Sequence, residues 1–143
     1  MNPSTLTQEG PATGHRALHV ALWIAQVLLA ALFLFAGSIK LAKPAMVAEQ
    51  GHLSLALVIF IGVSEVAGGL GVLLPALTRV RPALTPLAAV GLAAILVLAI
   101  CFHLIRGEAS HTPIPLAFLA LAVFVAWGRS VKAPISPRTP PSP

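Results

Sequence analysis

Residues 53–74 read LSLALVIFIGVSEVAGGLGVLL, an apolar run with one ionisable side chain, Glu65. About 22 residues at a helical rise of 1.5 Å are enough to cross a hydrocarbon core of about 30 Å. A strongly polar side chain in the middle of a span raises the free energy of insertion by about 2.5 to 3.5 kcal/mol, so such residues are usually kept for a role. The stretch therefore predicts a transmembrane helix with a membrane-buried carboxyl group.

The composition extends this prediction to the whole chain. Of 143 residues, 57% are hydrophobic and only 9% are charged, which a soluble domain could not fold without large exposed apolar patches. Three further apolar runs cover residues 17–39, 83–105 and 113–127. The last is the shortest, but Pro113 and Pro115 suit the first turn of a helix. The sequence predicts an all-α fold, a four-helix transmembrane bundle whose partner is the lipid bilayer.

The segments outside these runs are expected to be tails. Residues 1–16 and the Pro-rich residues 130–143 contain too few apolar side chains to bury a core, so we expect both to be disordered. Residues 17–129 then form one membrane domain. A cleaved signal peptide is an alternative for the first run, although its apolar stretch exceeds the roughly 7 to 15 residues usual for such peptides.

Basic residues predict the orientation of the bundle. With four spans both termini lie on one side, which has six bases against three on the other. The positive-inside bias then places both termini in the cytoplasm. The expected location is the cell inner (plasma) membrane. The bases on the side of the termini are Arg16, Arg79, Arg81, Arg129, Lys132 and Arg138. Basic membrane flanks account for the net charge of +5, and no nucleic-acid partner is expected.

Thiol and metal chemistry are restricted by what the chain contains. Cys101 is the only cysteine, so neither an intramolecular disulfide nor a Cys-x-x-Cys redox pair can form. His52, His103 and His111 could gather at one end of the bundle, but none of them has a fixed ligand spacing such as His-x-x-x-His. We therefore expect no metal and find no haem or metal motif.

Four polar residues are candidates for a functional site: Glu65, Lys40, His103 and Gln26. Glu65 and Gln26 each lie about nine residues, or roughly 14 Å, from the cytoplasmic end of their spans, so an amide–carboxyl hydrogen bond is expected. Lys40 and His103 lie near the outer ends of their spans. A direct pair with Glu65 would require tilted helices or a water-filled crevice.

Small residues surround Glu65 on its helix. Gly62, Gly68 and Gly69 are three or four residues from it, so this face predicts close helix packing, as does Gly37 in the first span. Glu65 itself has two interpretations. It is either a protonated acid that fixes helix packing, or an acid that handles protons or contacts a ligand. In both cases we expect it to be neutral or hydrogen-bonded at pH 7.

Several of these pieces together resemble a known family. Phe33, Gly37, Lys40 and Leu41 form a Phe-x-x-x-Gly-x-x-Lys-Leu motif in the first span. Gly62, Glu65 and Gly68 follow in the second span, and His103 and Leu104 close the third. Across roughly residues 18–129 the chain resembles the DoxX-like family of four-helix bacterial membrane proteins.

The resemblance implies a role near membrane oxidoreductases, with a quinone as the suggested ligand and an oxidoreductase complex in the membrane or at its surface as the suggested partner. A related four-helix group uses cysteine pairs, which this chain lacks. The function expected from the sequence is therefore a redox- or quinone-associated accessory role, without a defined catalytic centre. The alternatives are a small proton-coupled transporter that uses Glu65, and a purely structural or assembly subunit.

Overall fold

The computed structural model describes residues 12–138, which are helical for most of their length and contain no strand. The long helices are α1 (Ala12–Ala42), α3 (Leu55–Thr78), α4 (Leu84–Ile105) and α5 (Pro113–Trp127). A short helix α2 (Pro44–Gly51) follows α1, a 3₁₀ helix (Ala109–His111) precedes α5, and a π-helical turn (Gly128–Lys132) extends it. Within the described residues four helical segments are long and apolar enough to cross a membrane. The predicted all-α fold is confirmed.

Helical structure extends beyond the apolar runs at both ends of the bundle's chain path, in α1 and after α5. Residues 12–16 and 130–132, which the sequence assigned to the tails, continue α1 and α5. A helix need not end where hydrophobicity ends, because its backbone hydrogen bonds are internal and polar side chains suit its solvated turns. Residues 133–138 have no regular secondary structure. The remaining parts of the predicted tails, residues 1–11 and 139–143, lie outside the described residues.

The fourth span reaches bilayer length through its last turn. Residues 113–127 alone give about 15 residues, whereas the helical segment Pro113–Lys132 has 20. The backbone N–H of Ala133 donates to the carbonyl oxygen of Gly128 at 2.7 Å, which closes the π-helical turn. Such turns are rare and often lie at functional sites.

Helix α2 was not predicted. The helix begins at Pro44, where the fixed φ of proline favours a first turn. It is followed by His52, whose backbone lies in the left-handed region (φ 50°) and caps the helix. Helix α3 begins directly afterwards, and the side chain of Ser54 caps it by accepting from the backbone N–H of Leu57 at 3.3 Å.

The long helices form a ring in the order α1, α3, α4 and α5, with α5 also packed against α1. We call the end where α1 begins and α5 finishes the termini end, and the opposite end, with α2 and the 3₁₀ helix, the far end. One face of α3 is buried in the bundle, and its residues recur at spacings of three and four along the helix. This face consists of Val58, Gly62, Glu65, Gly69, Val72 and Ala76. The remaining apolar faces point outward, as expected for a protein in lipid.

Candidate functional site

A partly buried ion pair joins α1 and α3. In the last turn of α1, Lys40 Nζ donates to both carboxylate oxygens of Glu65, at 3.0 Å to Oε1 and 2.8 Å to Oε2. The side chain of Glu65 is 8% exposed and that of Lys40 is 24% exposed. The carboxylate is therefore inside the bundle, while the lysine connects it to the surface.

Glycines allow the two helices to come close enough for this pair. A Cβ atom on Gly37 would lie 2.8 Å from the carbonyl oxygen of Gly62, and one on Gly62 would lie 3.0 Å from Cβ of Lys40. Both distances are too short for any larger residue without movement of backbone or side chain. The lysine can therefore reach Glu65 directly, because the helix surfaces touch at this point.

The other two glycines named from the sequence, both on α3, pack against different neighbours. A Cβ atom on Gly69 would lie 3.2 Å from Leu34 Cγ, on α1. One on Gly68 would clash with the side chain of Leu92, on α4. The four glycines named from the sequence thus lie in tight helix contacts on two sides of α3, and only Gly37 and Gly62 border the ion pair.

Gln26 does not contact Glu65, contrary to the expected hydrogen bond. Its Oε1 accepts from Arg129 Nε at 2.7 Å, and its Nε2 donates to the carbonyl oxygen of Val72 at 2.9 Å. The depth estimate ignored the direction of the side chains and assumed that spans entered the bilayer in step. In the ring of helices, Gln26 lies opposite Val72, which is two turns along α3 from Glu65.

Arg129 was not recognised from the sequence, where a base after a span reads as a membrane flank. The residue is 3% exposed and lies in the π-helical turn. Its Nη1 lies 3.3 Å from His19 Nδ1 and donates to the carbonyl oxygen of Ala133 at 3.3 Å, and its guanidinium is 5.3 Å from the ring centroid of Trp23. The shortness of the fourth apolar run was the available signal, because a full span must continue through this residue.

Two buried polar atoms at the termini end have no hydrogen-bond partner within the described residues. They are Nη2 of Arg129 and Oγ1 of Thr85. Thr85 lies in the first turn of α4, which packs against the π-helical turn. Gly128 makes room for this arrangement, since a Cβ atom there would clash with Leu22. Arg129 therefore ties α5 to α1 through an amide rather than through a carboxylate.

His103 lies at the far end and is engaged away from Glu65. Its Nδ1 is 2.9 Å from Glu108 Oε2, and Arg106 Nε donates to Glu108 Oε1 at 2.9 Å. The hydrogen bond from Arg106, and then that from His103, hold the pKa of Glu108 below its ordinary value. Arg106 also donates to the carbonyl oxygen of Gly51 at 3.0 Å, which fastens the end of α4 to α2.

Two histidines of the far end form a stack. The rings of His103 and His111 are 5.5 Å apart and nearly parallel, at 20°. Within residues 12–138, no group of three His, Cys, Asp or Glu side chains is arranged to hold a metal ion. Of the four polar candidates, the structure brings together Lys40 and Glu65, and it places Gln26 and His103 in separate clusters.

A family of known proteins matches most of the chain. The model of a family described as the DoxX-like family matches residues 24–125, which contain both members of the ion pair. No curated protein and no solved structure matches the chain.

Proposed function

The chain belongs to the DoxX-like family and is a multi-pass membrane protein, and we propose that it serves a membrane redox system as an accessory subunit that contacts a quinone. The Lys40–Glu65 pair carries the proposal. The chain supplies a protonated amine and a carboxylate at one place, at the boundary between the helix core and the lipid-facing surface.

The chemistry of the pair suits a quinone head group. An ammonium group has three N–H donors, and Lys40 uses two of them on Glu65. The third N–H can donate to a quinone carbonyl oxygen, while the carboxylate can accept a proton from a hydroxyl or return one to it. Because the Lys40 side chain is 24% exposed, a lipid-soluble ligand can approach it from outside the bundle.

The single thiol favours an accessory role over a self-contained enzyme. Cys101 is exposed on α4 and has no second cysteine with which to exchange electrons. A partner oxidoreductase would therefore supply the electrons, and this chain would bind the quinone and help to move its protons.

Purification from native membranes tests this function. We would extract the wild-type protein and the variants Glu65→Gln and Lys40→Met, and measure bound quinone and copurifying proteins by mass spectrometry. Lys43→Met is the matched control, because it removes an exposed lysine one residue beyond the end of α1. We expect quinone with the wild type and Lys43→Met, and loss of quinone from Glu65→Gln while thermal melting stays close to that of the wild type.

Other results would contradict the proposal in distinct ways. Partner proteins without quinone in any sample would indicate a structural subunit. Loss of a proton-dependent flux in Glu65→Gln vesicles, with no quinone in the wild type, would indicate a transporter.

We also propose that the protein lies in a bacterial inner membrane with both termini in the cytoplasm. The support is the distribution of bases, six at the termini end and three at the far end. Reporter fusions at Glu9, His52, Arg81, Glu108 and Ser136 are expected to alternate in, out, in, out and in. An external Ser136 would overturn this orientation.

A further inference from the structure

An apolar groove opens on the outer surface between α4 and α5, toward the termini end. Its volume is about 630 Å³, within the range of small-molecule sites. The groove residues are largely exposed, among them Leu87 at 65%, Val90 at 56% and Trp127 at 46%. Side chains that line it include Leu87, Val90, Ala93, Val123, Ala126 and Trp127. A chain-like apolar ligand can therefore lie along it without entering the bundle.

A lysine lies beside the groove at its termini end. Lys132 Nζ is 5.7 Å from the ring centroid of Trp127, and both Lys132 and Ser130 are exposed. The hydroxyl of Ser130 donates to the carbonyl oxygen of Ala126 within its own helix. Arg129 is turned inward and held by Gln26. Lys132 is therefore the base of the π-helical turn that can bind a ligand from outside.

The charge around this end is of one sign. The acidic residues within residues 12–138 are Glu49, Glu65 and Glu108, and all three lie in the far half of the bundle. The termini end of the same stretch has only basic charges, and the Arg129 guanidinium has an amide rather than a carboxylate as its partner. A ligand with an apolar chain and a negative head group complements both the groove and its rim.

We propose that this groove is a binding site for an anionic phospholipid. An acyl chain lies along Val90 and Val123, and the phosphate lies at Lys132 beside Trp127. Tryptophan at this depth is typical of the membrane interface, where head group and chain meet. A second copy of the chain is a poorer occupant. Inserted in the same orientation, it would bring its own basic end against this one.

The test measures which lipid stays bound. Wild-type protein is reconstituted in nanodiscs of equal phosphatidylglycerol and phosphatidylcholine, and the lipids retained are counted by native mass spectrometry. We expect phosphatidylglycerol to be enriched. Lys132→Gln is expected to lower that enrichment about fivefold, the effect of one lysine near an anionic surface. Arg16→Gln, which removes an exposed base elsewhere at the same end, is expected to leave most of the phosphatidylglycerol enrichment.

A second pair of variants tests the groove itself without changing charge. Val90→Trp fills the groove and is expected to remove the bound phosphatidylglycerol. Val97→Trp is the control, because Val97 is also exposed on α4 but lies two turns farther along and outside the groove. Thermal melting of both variants checks that they fold.

Three results would overturn the proposal. One is equal retention of the two lipids by the wild type. Another is an equal loss in Lys132→Gln and Arg16→Gln, which would indicate a general effect of the basic end. The third is a lipid-free dimer that Val90→Trp dissociates, because a second copy would then occupy the groove.

Discussion

Lys40→Met is the most informative perturbation of the partly buried ion pair. The substitution keeps a long apolar side chain but removes the ammonium group that donates to both oxygens of Glu65. Removal of one member of a buried pair lowers the free energy of unfolding by about 3 to 5 kcal/mol, because the other charge stays behind unpaired. The Lys40 side chain is 24% exposed, so we expect the lower limit, about 3 kcal/mol.

Proton uptake limits this loss and gives it a pH dependence. An ordinary glutamate takes about 4 kcal/mol to protonate at pH 7 and about 1 kcal/mol at pH 5. The penalty for an unpaired Glu65 carboxylate cannot exceed these values, since the group would otherwise become neutral. The deficit of Lys40→Met is therefore expected to shrink as the pH falls from 7 to 5.

The reverse substitution is expected to be milder. In Glu65→Gln the amide oxygen still accepts from Lys40, and the partly exposed ammonium can turn toward water or head groups. We expect a loss of about 1 kcal/mol, typical of one weakened hydrogen bond. The double variant Lys40→Met/Glu65→Gln has no unpaired charge. It should therefore recover about 2 kcal/mol relative to Lys40→Met.

Equilibrium unfolding in mixed micelles of a mild detergent and sodium dodecyl sulfate measures all three variants. The fluorescence of Trp23 and Trp127 reports the transition, and Lys43→Met is the control, expected within about 0.5 kcal/mol of the wild type. The reasoning is refuted if the two single losses simply add in the double variant, or if Lys40→Met behaves like Lys43→Met.

Three further outcomes are expected. Gly37→Leu should lower the free energy of unfolding by about 3 kcal/mol, because its Cβ would lie 2.8 Å from a backbone carbonyl oxygen of α3. Gly91→Leu, with no neighbour within 4 Å of the added Cβ, should change the free energy of unfolding little. Equal melting temperatures of Gly37→Leu and Gly91→Leu in detergent would contradict the packing argument. Gln26→Leu should lower the free energy of unfolding by about 3 kcal/mol in the micelle assay, since Arg129 Nε would stay buried without its acceptor. A change under about 0.5 kcal/mol would mean that water replaces the amide. The pKa of Glu108 is lowered, so its contribution to the free energy of unfolding is complete above the unfolded pKa of about 4.3 and is lost as the pH falls through the lower folded pKa. The melting temperatures of wild type and Glu108→Gln should therefore differ at pH 7 and converge in acid. A difference that stays constant with pH would exclude this carboxylate as its cause.

The positions of the spans could be read from the sequence because insertion depends on the composition of each segment. All four apolar runs correspond to long helices, and the resemblance to the DoxX-like family is confirmed by the match over residues 24–125. The helix ends were less predictable. A short helix at Pro44–Gly51 and the turn at Gly128–Lys132 depend on backbone geometry and contacts that hydrophobicity does not encode.

The polar candidate residues were likewise only partly predictable from the sequence. The sequence identified Glu65 as unusual, since one carboxyl group stands out in an apolar run. It paired Glu65 with Gln26 by depth, whereas the structure pairs Glu65 with Lys40 and Gln26 with Arg129. Depth along the bilayer is only one of the coordinates that decide a contact. The rotation of each helix about its own axis is another, and a helix that is apolar all round gives no signal of that rotation.

The amino-acid sequence by itself thus determined the number of spans, their approximate limits and the presence of a buried acid, because these follow from the free energy of moving each segment into lipid. Only the tertiary structure decided which face of each helix points inward and which base meets which acceptor. Those choices depend on close contacts at small residues such as Gly37 and Gly62, where backbones touch. Hydrogen bonds and ion pairs act over about 3 Å, so a shift of one helical turn exchanges every partner.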